Sequence, residues 1–163
     1  MKLSEFNALG HDEAVETLLS CAHVERWARD IAAARPYATV EDLLAATRRE
    51  ANPWTDEEID SALARHPRIG ERAKGEDADA QMSRAEQAGL GIDDEIQRRL
   101  DAGNAAYEEK FGFVFLIRAA GRSAQEILSS LEERMNNTPE EERHIAADQL
   151  RQIAALRLEG MIQ

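Results

Sequence analysis

Helix-start chemistry, repeated along an amphipathic pattern, is what most constrains this chain. Thr55-Asp56-Glu57-Glu58 and Ser123-Ala124-Gln125-Glu126 both place a hydroxyl three residues before a glutamate, the spacing of a capping box. Thr138-Pro139-Glu140-Glu141 adds a proline at the first helical position, where its missing N–H removes no helical bond. Thr39 before Val40-Glu41-Asp42 reads as a further N-cap. The accompanying apolar periodicity predicts helices near 12–21, 24–34, 40–50, 56–66, 92–110, 124–135 and 139–161. The expected fold class is therefore all-α: a helical bundle forming one domain over residues 1–163, a length that suits a single core. Aromatic residues are only 5% of the chain and charged residues 32%, a balance that suits amphipathic helices better than a β-sandwich.

Two stretches break the helical pattern. Residues 67–91 contain Pro67, four glycines and the charge-rich run from Glu71 to Gln81, and they read as a long loop. Connections of that length inside a compact domain are commonly functional. The second is Phe111-Gly112-Phe113-Val114-Phe115-Leu116-Ile117, whose aromatic and β-branched content favours extended backbone. Nothing nearby supplies a sheet partner, so a buried extended segment over about 111–119 is expected to cross the bundle.

Charge and cysteine usage exclude several functions. Asp plus Glu outnumber Lys plus Arg by 32 to 20, giving a formal net charge of -12. Such a surface repels phosphate backbones and anionic membranes, so neither nucleic acid nor a membrane is an expected partner. A small anionic substrate stays compatible if a few arginines build a local positive pocket. Cys21 stands alone, which excludes an internal disulfide and a cysteine metal cluster. The dispersed His11, His23, His66 and His144 lack the i,i+4 spacing of a helical zinc site. The N-terminus has no apolar secretion signal and no run is long enough to span a membrane; a reduced, cytoplasmic protein is expected.

Polar residues on faces that should be buried are the candidates for chemistry. Ile59, Ala62 and Leu63 form one stripe, and His66 continues it just before Pro67. If the helix runs to residue 66, its dipole favours a protonated imidazole there. Position alone leaves two readings open: a histidine that satisfies a helix end, or a proton donor. Arg157 lies four residues from both Ile153 and Met161 on the apolar face of the last helix. A buried guanidinium needs an anion, which is either a structural carboxylate or a bound substrate. Ser83 and Glu86 have capping-box spacing, so they either start a short helix or, with Gln87, present polar groups from the long loop. Ile92, Ile96, Leu100, Gly103, Tyr107 and Phe111 share a face that reads as core, flanked by Asn104.

Taken in order, His66-Pro67-Arg68-Ile69-Gly70, Ser83-x-x-Glu86-Gln87, Asn104-x-x-Tyr107-x-x-Lys110-Phe111-Gly112-Phe113-x-Phe115 and Leu156-Arg157-Leu158 form a specific series. It resembles the 2-oxo-4-hydroxy-4-carboxy-5-ureidoimidazoline (OHCU) decarboxylase family, over nearly the whole chain. The resemblance implies an all-α carboxy-lyase of urate degradation, without a cofactor or metal, that yields (S)-allantoin. It also implies that His66 and Glu86 are catalytic. Pro67, Ser83, Gln87, the segment Phe115, Leu116, Ile117, Arg118 and Ala119, and Arg157 would then contact the small-molecule substrate. Arg118 stands where the family pattern has a small residue or Cys. Association into a homodimer is compatible with the resemblance. The competing expectation is a non-enzymatic acidic helical adaptor, which explains the charge but leaves His66, Arg157 and the long connection without a role.

Overall fold

The computed structural model describes residues 1–71 and 76–163. Those residues form helices α1 to α9 and no strand, in agreement with the all-α expectation. The chain packs as two compact units, Met1–Ala64 with Arg151–Gln163, and Arg65–Leu150.

The first unit contains α1 (Leu3–Ala8), α2 (His11–Cys21), α3 (Glu25–Ala33), α4 (Val40–Glu50), α5 (Asp56–Leu63) and the end of α9 (Pro139–Met161). Its core includes Phe6, Leu18, Trp27, Ile31 and Leu43, all essentially without exposure. Burying each such side chain contributes about 1.5–3 kcal/mol relative to leaving it in water. Trp27 Nε1 donates to the Thr47 carbonyl at 3.0 Å, so its one polar atom is satisfied inside the core. The two chain ends pair through Leu3 N–H on the Gln163 carbonyl and Gln163 N–H on the Met1 carbonyl, both 2.9 Å. The predicted caps are present: Thr39 accepts from Asp42 N–H at 3.1 Å, and Thr55 accepts from Glu58 N–H at 3.2 Å. Helix α1 had no counterpart in the sequence reading. A lone glutamate, Glu5, closes its first turn by accepting from Lys2 N–H at 2.7 Å.

The second unit contains α6 (Ala78–Gln87), α7 (Asp94–Phe111), α8 (Ala124–Arg134) and the start of α9. The stretch 67–91 is not a loop throughout. Asp77 accepts from Ala80 N–H at 2.8 Å and starts α6, so the cap lies six residues before Ser83. Ser83, Glu86 and Gln87 therefore sit inside a helix and do not begin one. Residues 72–75 of the charge-rich run lie outside the described residues. The segment expected over about 111–119 begins later, because Phe111 is the last residue of α7 and residues 114–119 belong to neither helix nor strand. Gly112 ends α7 with φ +80°, a conformation that a side chain resists. Phe115, Leu116 and Ile117 are buried in succession, which removes the alternation of a half-exposed strand.

Around that segment the core joins Ile69, Leu100, Tyr107, Ile127, Leu128 and Leu131. Tyr107 is ringed by Phe111, Phe113 and Phe115, with centroid distances of 4.6, 5.8 and 5.3 Å. Gly103 lets α7 approach α8: a Cβ there would lie 2.5 Å from Leu131 Cδ2. Gly103→Ala is expected to lower stability by about 1–3 kcal/mol through overpacking, less up to about 1 kcal/mol of helix propensity. Urea unfolding checks this, and a midpoint equal to or above wild type contradicts it.

Candidate active site

The His66-Pro67 step differs from its sequence expectation. Helix α5 ends at Leu63, with Ala64 as its C-cap, so His66 lies three residues past the last helical residue. Proline disfavours helical geometry for the residue before it, and the chain leaves the helix before reaching His66. The helix dipole acts within the last turn, so the expected influence of a helix end on the imidazole falls away.

What the second unit does instead is clamp the residues after His66. Asn104, 2% exposed on α7, donates from Nδ2 to the Ile69 carbonyl at 2.8 Å. Gly70 N–H donates to Gln87 Oε1 at 3.1 Å, which ties α6 to the same turn. Arg68 pairs with Glu108 at 2.9 Å and with Glu71 at 3.4 Å, and Ile69 is buried in the core. His66 and Pro67 are themselves half-buried. Three successive residues, Arg68, Ile69 and Gly70, are thus tied to α6 and α7 by side chains.

On α6, Ser83 is buried while Glu86 and Gln87 are half-buried. Ser83 and Glu86 are three residues apart and share a face of the helix. Gln87, expected to touch substrate, has its carbonyl oxygen engaged by Gly70. A cleft of about 490 Å³ opens beside it, lined by Gly70, Glu71, Arg84, Gln87 and Ile92 among others. Neither His66 nor Glu86 is among its described lining residues, so the cleft is not the centre of the expected constellation.

The segment Phe115–Ala119 shares a core with Ile69, so the structure brings it together with the turn after His66. Its backbone is held by side chains. The Leu116 carbonyl accepts from Arg134 Nη1 at 2.7 Å, Arg118 N–H donates to Gln149 Oε1 at 2.8 Å, and the Arg118 carbonyl accepts from Arg122 Nε at 2.9 Å. Arg118 is half-buried, and its Nε is buried without a hydrogen-bond partner among the described residues. Arg157 belongs to the first unit. It is buried, as its helix face predicts, and Nη1 reaches the Ser20 carbonyl at 3.4 Å.

One polar group was missed by the sequence reading. Glu142, with no exposure, accepts from Tyr107 Oη at 2.6 Å, Arg134 Nε at 2.5 Å and Asn137 Nδ2 at 3.1 Å. Arg134 Nη2 completes the ion pair. Burial first, and then the bond to Glu142, push the Tyr107 phenol far above its usual value. A signal for this group was available: Ile127, Leu131 and Arg134 fall at i, i+4 and i+7, as do Glu142, Ala146 and Gln149. The test that singled out Arg157 would have singled out Arg134 and Glu142 as well.

A helical chain with a clamped turn after its His-Pro step and a side-chain-held non-helical segment defines a class of protein that keeps irregular backbone inside a helical core. Comparison with known proteins narrows it. The family model described as OHCU decarboxylase matches residues 7–159. The 2-oxo-4-hydroxy-4-carboxy-5-ureidoimidazoline decarboxylase of Amia calva is 32% identical, over 100% of this chain and 95% of that one. The protein of the same name from Haloferax volcanii is 30% identical, over 97% and 94%. A crystal structure of OHCU decarboxylase in the presence of (S)-allantoin superposes with a TM-score of 0.76 at 26% identity, covering 90% of this chain and 96% of that one. The chain belongs to the OHCU decarboxylase family, and it is an enzyme. Among the described residues, no helix is long and apolar enough to cross a membrane.

Proposed function

We propose that this enzyme decarboxylates 2-oxo-4-hydroxy-4-carboxy-5-ureidoimidazoline to (S)-allantoin in urate degradation, with His66 as the proton donor. The observation that carries this is the family match over residues 7–159, within which the ordered His-Pro, Ser-x-x-Glu-Gln and Asn-x-x-Tyr residues all fall.

The chemistry follows from the substrate. Breaking the bond from the ring carbon to the carboxylate releases CO2 and leaves an electron pair on that carbon. The adjacent imine accepts the pair, giving an enol whose double bond joins that carbon to the ureido-bearing carbon, so the substrate is its own electron sink and no cofactor is required. The hydroxyl proton then passes to the former imine nitrogen as the hydroxyl carbon becomes a carbonyl, and protonated His66 gives one proton to one face of the adjacent ureido-bearing carbon, ending as neutral imidazole and setting the configuration of the product. Imidazole suits this because it titrates near neutral pH.

Glu86 holds ureido or ring N–H groups, with Pro67, Ser83 and Gln87 beside it. The backbone of Phe115, Leu116, Ile117, Arg118 and Ala119 faces the amide groups of the substrate. Arg157 binds an anionic group. Asn104 and Gln87 support this arrangement by holding Ile69 and Gly70 in the turn that follows His66-Pro67. The same proposal has residues 1–163 act as one domain in the cytoplasm, on a small-molecule substrate, with neither nucleic acid nor membrane as partner. Homodimerisation is the assembly to look for by sedimentation.

The test follows freshly generated OHCU by circular dichroism with and without the protein. Acceleration together with a single enantiomer of allantoin is expected. If the wild-type protein leaves the spontaneous rate unchanged, the function is wrong and the acidic adaptor becomes the better reading.

A further inference from the structure

We infer that Arg134 is a positioning residue, which orients the Ile117 peptide groups toward the substrate by holding the Leu116 carbonyl. This rests on the proposal above that the segment Phe115–Ala119 lines the substrate.

Arg134 is 6% exposed at the end of α8, and its guanidinium is fixed from several sides. Nε and Nη2 face Glu142, and its centre stands 4.6 Å from the Phe115 ring centroid. Glu142 is in turn held by Tyr107 and Asn137. What remains is Nη1, on the Leu116 carbonyl at 2.7 Å. The segment it meets has no sheet neighbour among the described residues, so side chains decide how its peptide planes are turned.

A trans peptide is planar, with C=O and the following N–H pointing in opposite directions. Drawing the Leu116 carbonyl to Arg134 therefore sends Ile117 N–H the other way. Gln149 does the same at the next plane: by accepting from Arg118 N–H it turns the Ile117 carbonyl away from itself. Neither the N–H nor the C=O of Ile117 has a hydrogen-bond partner among the described residues. One donor and one acceptor on a single residue are thus left over by the two clamps. That pair matches an amide or ureido group, which offers an acceptor and a donor side by side. Arg134 need not touch the substrate; it sets the backbone that does.

The test variant is Tyr107→Phe/Arg134→Met/Glu142→Leu, which removes the Leu116 donor without stranding a buried charge. A contact made equally in the bound and transition states is lost, so KM should rise about tenfold while kcat stays within about threefold. Amide exchange at residues 115–119 should quicken by at least about tenfold relative to the rest of the second unit. Asp93→Ala is the control for general destabilisation, since it removes only the α7 cap that accepts from Ile96 N–H. It should leave KM at the wild-type value and speed exchange evenly. Should the triple variant not fold, Arg134→Lys takes its place, because lysine keeps the charge on Glu142 but has no second nitrogen for Leu116. A wild-type KM in the folded variant, or exchange that rises only as evenly as in the control, overturns the positioning role. An inactive wild-type protein instead overturns the functional proposal, and this inference with it.

Discussion

Replacing His66 with glutamine is expected to lower the turnover of OHCU by about 10²–10⁴-fold, the usual cost of losing a general acid. Glutamine keeps a polar side chain of similar reach but cannot deliver a proton near neutral pH. The effect should fall on kcat, because the imidazole protonates the enol that forms after CO2 leaves. Folding should be almost untouched. His66 is half-buried past the end of α5, and the turn that follows is held by Asn104, Gln87 and Glu108, none of which depends on the imidazole. A change in stability of about 1 kcal/mol or less, the usual size for a single substitution, is therefore expected from urea unfolding. Wild-type turnover in the His66→Gln protein would falsify the proton-donor role and leave family membership intact. A deficit that appears with a large loss of stability would instead make His66 a structural residue.

The largest stability effect should come from Glu142→Ala. This carboxylate has no exposure and satisfies Tyr107, Arg134 and Asn137 together. Removing it leaves the Arg134 guanidinium buried without its anion, which typically costs about 3–5 kcal/mol. A domain of ordinary stability has only about 5–15 kcal/mol in total, so the loss should move the urea midpoint severely. The companion experiment separates an unpaired charge from lost packing. With Tyr107→Phe, Arg134→Met and Glu142→Leu combined, no charge is stranded, and such apolar replacements are often neutral or stabilising. A single Glu142→Ala change worth less than about 1 kcal/mol would mean that water or local rearrangement already relieves the pair.

Much of the helical scaffold was legible because capping is local chemistry. Thr39, Thr55 and Ser123 accept from the residue three positions on, as their spacing predicts, and Thr138 does the same with Glu141 N–H at 3.2 Å. The break in the helical pattern after Gly112 was legible too, because a consecutive aromatic and β-branched run offers no amphipathic helical face. Helix α6 was missed because Asp77, its real cap, is inconspicuous inside a charged run, whereas Ser83 and Glu86 imitate a cap three residues apart. The end of α5 was misplaced by three residues because the apolar stripe continues through His66 after the helix has stopped.

What the sequence alone determined is therefore the helices whose ends carry their own hydrogen-bond partners, the buried non-helical run, the acidic surface and the ordered residues of the family. What tertiary structure decided is who holds the irregular backbone. Asn104 meets Ile69 across 35 positions, Gln87 meets Gly70 across 17, and Arg134 meets Leu116 across 18. Partners that far apart leave no periodic trace. A peptide group without a helix or sheet must be satisfied by whatever the fold brings to it, and only packing determines which side chain that is.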